Sequence, residues 1–229
     1  MANLFQYQGK TIWMTLDEVA NPEHTALIVV DMQRDFCASD GAFAQYGIDI
    51  SMYPPLVPRL GALIAQARRV RVPVIYLLMT QLQGGVTDSP AQIRFNMRLH
   101  EGRRPEPAPL QYTLDGSEGQ EVVPALAPQS EDVVVKKYRS SGFWGTNLDL
   151  ILRSVNRKTV VVTGCTTEGC VESTARDALF ADYFVVVPED GVASDDRAQH
   201  EASLLLMRHR FDVTTCEELI KTWEVGKHG

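Results

Sequence analysis

Residues of three reactive types, an acid, an amine and a thiol, end or follow short apolar runs in this sequence of 229 residues. Asp31 ends TALIVVD, Lys136 and Lys137 end VVVKK, and Cys170 follows TVVVTG within GCTTEGC. In an open α/β sheet, ligands bind beyond the carboxyl ends of the parallel strands. If these runs are such strands, the reactive groups lie at one edge of the sheet.

Together these groups predict acyl transfer through a thioester. Cys170 would begin a helix, where the positive end of the helix dipole lowers the pKa of a thiol, and a nearby lysine acts in the same direction. Asp31 can hold the thiol proton and pass it to a leaving amine. Backbone amides of the turn after Gly164 can form an oxyanion hole.

The elements that must position these residues alternate between strand and helix patterns. Apolar runs rich in β-branched residues predict buried parallel strands; they cover residues 25–31, 74–79, 133–137, 159–164, 184–188 and, more weakly, 211–214. Amphipathic spacing predicts helices over 55–70, 146–155, 171–181, 196–210 and 217–223. This alternation indicates an α/β fold with a mostly parallel sheet.

One stretch, residues 81–130, interrupts this alternation with a proline-rich segment that includes GRRPEPAPLQ and LDGSEG. It fits either a linker between two domains or a long loop over the rim of the sheet. We favour the loop, because strands of the same type resume directly after it, and long ordered loops often line a site. We therefore expect one domain, 1–229, with 1–24 as an N-terminal extension.

Composition excludes several classes of protein. The formal net charge is −7, which argues against nucleic-acid binding, because such proteins need clustered lysine and arginine. No apolar stretch reaches the length of a membrane span, and the N-terminus lacks the pattern of a signal peptide. The expected protein is a cytoplasmic enzyme, without membrane or nucleic-acid partners, whose cysteines form no structural disulfides.

Familiar cofactor and hydrolase motifs are missing. Gly164 and Gly169 have the spacing of a phosphate-binding loop, but Cys170 and Val171 replace its lysine and hydroxyl residue. The dinucleotide fingerprint and the serine-hydrolase elbow are absent, and the cysteines lack the spacing of a zinc site. We expect no cofactor.

Three motifs in this order resemble the isochorismatase-like family of cysteine hydrolases. They are Asp31-Met-Gln-x-x-Phe36, Lys137-Tyr-Arg-Ser-Ser-Gly-Phe143-Trp-Gly-Thr, and Val-Val-Thr-Gly164-x-Thr-Thr-x-Gly-Cys170-Val with its following Thr-Ala-x-Asp-Ala. The resemblance spans about residues 25–213. It implies a three-layer, Rossmann-like fold whose six-stranded, mostly parallel sheet has the order 3-2-1-4-5-6 and is flanked by helices.

The resemblance also implies the catalytic residues. The Asp–Lys–Cys triad of the family falls on Asp31, Lys137 and Cys170; Lys137 is chosen over Lys136 because it lies six residues before Phe143. Amides of Thr166 and Cys170 would form the oxyanion hole, with a non-proline cis peptide nearby. Since strand three is two places from strand one, Lys137 must reach inward with its long side chain.

The implied activity is hydrolysis of a C–N bond in a small amide or N-carbamoyl compound, by an enzyme that forms homodimers or homotetramers. The branch that matches best contains N-carbamoylsarcosine amidase, ureidoacrylate amidohydrolase and biuret hydrolase. The metal-binding Asp-x-His pattern of the nicotinamidase branch is absent after the second strand, so we expect no metal. Candidate substrate contacts are Gln33, Phe36, Gln81, Phe143 and Trp144.

Three alternatives stay open. Isochorismatase-type enol-ether hydrolysis proceeds without a nucleophilic cysteine, which Cys170 argues against. A non-catalytic binding protein on the same scaffold would lose the triad geometry. A redox-sensing thiol protein would pair Cys165 with Cys170, form a reversible disulfide and release no ammonia from any amide. If the protein is instead a hydrolase that uses Cys170, Cys165→Ala should leave hydrolysis intact.

Overall fold

A central parallel sheet organises the structure, a computed structural model that describes residues 4–101 and 109–225. Its strands, and the two strands of an N-terminal hairpin, are β1 (Phe5–Tyr7), β2 (Lys10–Ile12), β3 (Thr25–Val30), β4 (Val74–Met79), β5 (Val133–Lys137), β6 (Thr159–Cys165), β7 (Phe184–Pro188), β8 (Val192–Ala193) and β9 (Asp212–Thr214). The helices are α1 (Leu16–Val19), α2 (Arg34–Cys37), α3 (Ala42–Gln45), α4 (Tyr53–Arg69), α5 (Pro90–Leu99), α6 (Leu148–Ser154), α7 (Glu172–Phe180), α8 (Arg197–Met207) and α9 (Cys216–Val225). In the described chain, no helix is both long and apolar enough to cross a membrane.

The strand order of the sheet is β5-β4-β3-β6-β7-β9. In terms of the six predicted strands this is 3-2-1-4-5-6, so the predicted order is confirmed, and every pair in it is parallel. The predicted count of six is one short, because the short strand β8 pairs with the end of β6. Two residues of ordinary apolar type leave no periodic signal for a strand.

Side chains alternate between the two faces of the sheet and so build two separate cores. On β3, Leu27 and Val29 face one core while Ala26, Ile28 and Val30 face the other. Helices α4 and α9 cover the first face, and α6, α7 and α8 cover the second. Because both faces are buried, the strands read as continuous apolar runs, as the sequence indicated.

The segment 81–130 contains more regular structure than a loop. Helix α5 lies within it, started by the Ser89 side chain, which accepts a hydrogen bond from the Gln92 amide, and by Pro90 in the first turn. A short 3₁₀ turn precedes α5 at Gln83–Gly85, and two more follow it at Glu118–Gln120 and Pro124–Leu126. Residues 102–108 lie outside the described structure, so the prediction of a rim loop cannot be followed through them.

The N-terminal extension, described from residue 4, packs on the domain. Trp13 stacks on His24, with their ring centroids 3.8 Å apart, and the indole of Trp223 on α9 donates to the carbonyl of Ala20. This contact joins the two ends of the described chain.

Gly164 is the backbone position on which the centre of the sheet depends. Its φ is +105°, and a Cβ there would overlap the carbonyl oxygen of Val30 on the neighbouring strand. Only glycine meets both conditions without strain. The glycine lets β6 run close beside β3, which brings the loop after β6 next to Asp31.

We therefore expect Gly164→Ala to lower the free energy of unfolding by more than about 2 kcal/mol. The matched control is Gly47→Ala, where φ is +72° but nothing lies within 4 Å of the added Cβ. Because Gly47 carries only the conformational cost, its loss should be about 1 kcal/mol. Chemical denaturation of both variants measures the difference, and equal losses would contradict the close approach of β6 to β3.

Candidate active site

Lys137 reaches the centre of the sheet from its edge. On β5 the side chains of Val135 and Lys137 are buried while those of Val134 and Lys136 are exposed, as a pleated strand requires. The Lys137 side chain is 0% exposed. Its Nζ lies 2.8 Å from Oδ2 of Asp31, on a strand two places away. The side chain therefore points inward, as the resemblance required.

Three partners surround this ammonium group. Besides Asp31, Nζ donates to Sγ of Cys170 at 3.1 Å and to the carbonyl of Arg139 at 3.2 Å. The contacts with Cys170 and Arg139 are hydrogen bonds, and the contact with Asp31 is an ion pair. A buried charge that is paired with an opposite charge and hydrogen-bonded is one that the interior can hold.

Asp31 lies at the point where β3 ends and has a φ of +51°, in the left-handed region. Aspartate adopts this conformation more readily than most residues. Its Oδ1 accepts a hydrogen bond from the Met79 amide at 2.8 Å, which leaves Oδ2 for Lys137. The carboxylate is also close enough to Cys170 to raise the pKa of its thiol. One carboxylate thus pairs with the amine and acts electrostatically on the thiol.

Cys170 lies in a tight π-helical turn, Thr167–Val171, between β6 and α7. The peptide bond between Cys165 and Thr166 is cis, and the Thr166 carbonyl accepts from the amides of Gly169 and Val171. The Oγ1 of Thr167 lies 2.8 Å from Nδ1 of His200 on α8. These bonds hold the turn on both sides.

A second set of bonds ties the turn to the segment after β5. The Gly142 amide donates to Oγ1 of Thr174, and that hydroxyl donates to the carbonyl of Cys170. The lysine strand and the cysteine turn are therefore connected by one side chain as well as by the ammonium group.

Burial raises the pKa of the Cys170 thiol to about 12; the Asp31 carboxylate acts in the same direction and outweighs Lys137. The predicted lowering of this pKa is therefore wrong. Cys170 precedes α7 in an irregular turn and lies half-buried beside a carboxylate, so a helix dipole does not dominate. Burial opposes the charge on Lys137, but Asp31 and Cys170 outweigh it and raise the pKa of the ammonium.

The three groups adjoin a cavity of about 280 Å³. Asp31, Thr166 and Cys170 are part of its wall, so the two residues predicted to supply oxyanion-hole amides both face this space. Helix α5 supplies part of the opposite wall, with Phe95 and Leu99. The cavity is near the lower limit of small-ligand sites, which favours a small substrate.

Two predicted polar contacts have other roles. The Gln33 side chain is buried and donates to the carbonyls of Met79 and Gln120, so it fixes the segment that follows β3. Gln81 donates to the Leu110 carbonyl and accepts from the Tyr112 amide. It lines a neighbouring cavity of about 190 Å³ rather than the one that holds Cys170. Both side-chain amides hydrogen-bond backbone groups, and no sequence motif indicates such contacts.

Of the three predicted apolar substrate contacts, one lies in the cavity wall and two lie outside it. Phe36 lines the cavity, as expected. Phe143 packs against Tyr183 in the core of the second face, with ring centroids 5.8 Å apart, and Trp144 is 74% exposed. Neither lines the cavity; from the loop after β5 it is Ser140 that reaches the wall.

Several residues of the cavity wall were missed by sequence reasoning. On one side lie Phe43, Phe95, Leu99, His100 and Tyr112, and on the other Glu168, Asp195 and Gln199. The start of α5 could have been predicted, because Ser89 followed by Pro90 is typical of the start of a helix. Asp195, just before α8, and Gln199, in its first turn, had no such signal, since acidic and amide side chains at the start of a helix are usually caps.

The described cysteines are free thiols, and Cys165 approaches Cys37 rather than Cys170. The two sulfurs are 4.0 Å apart, and the Cys165 thiol donates to the Asp31 carbonyl. The redox alternative required Cys165 and Cys170 to pair, a contact that the described side chains do not make. Within the same residues no group of three or more His, Cys, Asp or Glu could hold a metal; the absence of a metal stays a prediction.

Comparison with known proteins agrees with this geometry. The isochorismatase domain family matches residues 25–218. Ureidoacrylate amidohydrolase RutB of Enterobacter sp. (strain 638) is 37% identical over 175 residues, 74% of this chain and 75% of that protein. A cysteine hydrolase from Pseudomonas syringae pv. phaseolicola 1448A superposes with a TM-score of 0.77 at 32% identity, covering 90% of this chain and 95% of that one. N-carbamoylsarcosine amidase from Thermoplasma acidophilum gives 0.65 at 29% identity, covering 85% and 97%.

The adjacent lysines allow a matched test of the buried ion pair. We expect Lys137→Met to lower the free energy of unfolding by about 3–5 kcal/mol, because it leaves Asp31 buried without its cation. Lys136→Met removes only an exposed pair with Asp115 and should cost about 1 kcal/mol or less. Denaturant unfolding measures both, and equal costs would mean that Lys137 is not paired in the interior.

The raised pKa of Cys170 predicts a protonated thiol at neutral pH. The ultraviolet absorbance of a thiolate, taken as the difference between the wild type and Cys170→Ala, should show no step between about pH 6 and pH 9. A step near neutral pH would show a resting thiolate and contradict this assignment.

Proposed function

This chain belongs to the isochorismatase family, and on that premise we propose that Asp31, Lys137 and Cys170 are its catalytic residues. The chain is an amidohydrolase that cleaves a C–N bond of a small amide or ureido compound. The observation that supports the assignment is the contact of Nζ of Lys137 with both Sγ of Cys170 and Oδ2 of Asp31 beside one cavity.

In the first half of the reaction Cys170 is acylated. Because its thiol is protonated at rest, Asp31 accepts the proton as Sγ attacks the substrate carbonyl. A C–S bond forms, and the carbonyl oxygen takes the negative charge of the tetrahedral intermediate. The C–N bond then breaks, and the proton held by Asp31 goes to the departing ammonia or amine.

In the second half, water clears the thioester. Asp31, again ionised, takes a proton from a water molecule that attacks the acyl or carbamoyl carbon. The C–S bond breaks, and the sulfur of Cys170 recovers the proton from Asp31. The same carboxylate therefore serves both halves, which requires that it stay close to the sulfur throughout.

Lys137 stabilises the negative charge that moves between these two groups. The charge is on Asp31 at rest and on the sulfur as attack begins, and Nζ contacts both positions. A fixed cation at that place does not need to reorganise as the charge moves. Amides of Thr166 and Cys170 are proposed to bind the oxyanion.

The ureido class is supported by the relatives. Among the similar proteins, one is a ureidoacrylate amidohydrolase and another an N-carbamoylsarcosine amidase. Both names describe compounds with an N-carbamoyl group. We propose a substrate of this class for the present chain, hydrolysed with release of ammonia.

We also propose that the enzyme acts in the cytoplasm as a homodimer or homotetramer. Support comes from the family resemblance, and the exposed apolar side chains of Val134 on the edge strand β5, Trp144 in the loop after it and Leu150 on α6 are candidates for contact with another copy.

Ammonia release from N-carbamoyl amino acids, biuret, maleamate and nicotinamide tests the assignment. With whichever of these is hydrolysed, Cys170→Ala should lower kcat/KM by at least about 10³-fold, because no other group can carry the acyl intermediate. Asp31→Asn should lower it to a comparable extent, since both halves need its carboxylate.

The control is Cys216→Ala. Cys216 is a buried free thiol at the start of α9, outside the cavity wall, and its replacement should leave kcat/KM within about threefold. Full activity in Cys170→Ala, or release of ammonia from none of these compounds, would contradict the proposal.

A further inference from the structure

The wall of the catalytic cavity carries negative but not positive side chains. Of the described residues that line it, Asp31, Glu168 and Asp195 are acidic and none is lysine or arginine. Lys137 contacts Asp31 and Cys170 but is not part of the wall, and its charge is matched by Asp31. Among the described side chains of this wall, acidic groups therefore outnumber lysine and arginine, and such a wall repels anions.

Glu168 places a more specific requirement on the substrate. Its Oε2 is buried and accepts no hydrogen bond from the described residues, although the side chain lies in the cavity wall. A buried carboxylate oxygen without a donor is costly and is satisfied by a group that brings an N–H. Amides and ureas carry such N–H groups, whereas a carboxylate brings only further acceptors.

The opposite wall is apolar. Phe36, Phe43 and Tyr112 form a connected aromatic group, with ring centroids 4.8–5.7 Å apart. Phe95 and Leu99 on α5 extend this wall while 47% and 48% exposed. Large apolar side chains that line a cavity and remain half exposed are typical of sites that bind apolar groups.

We infer that the substrate is an amide or urea without negative charge, whose substituent is aromatic or bulky and aliphatic. The N–H groups face Glu168 and Asp195, and the substituent packs against Phe36, Phe95 and Leu99. This inference rests on the proposed function and narrows it, because the curated relatives are named for a substrate that is itself an acid.

The first test does not depend on turnover. Methanethiosulfonates transfer an alkylthio group to a cysteine, which forms a mixed disulfide with Cys170 and releases methanesulfinate. The neutral benzyl, cationic aminoethyl and anionic sulfonatoethyl reagents are compared, each rate divided by that with 2-mercaptoethanol. The anionic reagent should modify Cys170 about tenfold or more slowly than the benzyl reagent. Intact-mass analysis counts the additions, and Cys170→Ala identifies those at other sites.

The second test uses substrates that differ in one property. Benzylurea, its para-carboxylate derivative and methylurea are compared by ammonia release. Benzylurea should show a kcat/KM about tenfold or more above each of the others, since the derivative adds only a negative charge and methylurea removes only the ring. The full chain is used in each assay.

Variants locate the cause of the selectivity. Glu168→Gln and Asp195→Asn preserve shape and remove a charge, and each should reduce the discrimination against the anionic reagent by about threefold or more. Glu224→Gln removes an exposed charge on α9 that pairs with Arg69 and should leave the discrimination unchanged. Equal effects of the three variants would show that net charge, not the cavity wall, sets the selectivity.

The outcomes distinguish failure of this inference from failure of the proposed function. If ureas are cleaved but the carboxylate derivative is preferred, or the anionic reagent reacts as fast as the neutral one, the inference is wrong and the proposed function stands. If the reagents discriminate as expected but no amide or urea yields ammonia, the proposed function is wrong while the charge selectivity of the cavity holds.

Discussion

The buried ammonium of Lys137 is the group on which the site depends. Removing a charged amine from water costs several kcal/mol, and the interior holds it only when the geometry of its partners is good. Here Asp31 supplies the countercharge at 2.8 Å, and Cys170 and Arg139 take the remaining N–H groups. The edge strand, the central strand and the turn after β6 must therefore keep a fixed relation, since displacement of either strand leaves a charge unpaired and displacement of the turn removes the acceptor Sγ of Cys170 from the ammonium.

The same arrangement explains how a thiol with a raised pKa can serve as a nucleophile. Asp31, Lys137 and Cys170 together carry no net charge when the thiol is protonated, and they still carry none when its proton has moved to Asp31. Attack thus transfers a proton within a neutral group instead of creating a charge in a buried place. A resting thiolate is unnecessary, provided that the base is in contact with the sulfur.

The strands, and the strand ends that carry the three central side chains, could be predicted because they leave a strong pattern, whereas the order of the sheet followed from the family resemblance. Strands buried on both faces are continuous apolar runs, and their carboxyl ends locate Asp31, Lys137 and Cys170. The substrate wall leaves no such pattern. Gln33 and Gln81 have the same polar character as substrate contacts, but their side-chain amides donate hydrogen bonds to backbone carbonyls instead. Phe95 and Phe143 cannot be ranked by sequence, since only the path of the chain decides which of them faces the cavity.

The central claim is that Cys170 forms a covalent acyl intermediate beside Asp31 and Lys137, and mass spectrometry of acid-quenched enzyme during turnover of a urea tests it most directly. The account predicts a mass increase equal to one carbamoyl group where the amine leaves first, or one N-substituted carbamoyl group where ammonia leaves first; peptide mapping places it on Cys170, and hydroxylamine removes it. Steady ammonia release with no adduct on Cys170, or an adduct on another cysteine, would contradict the account.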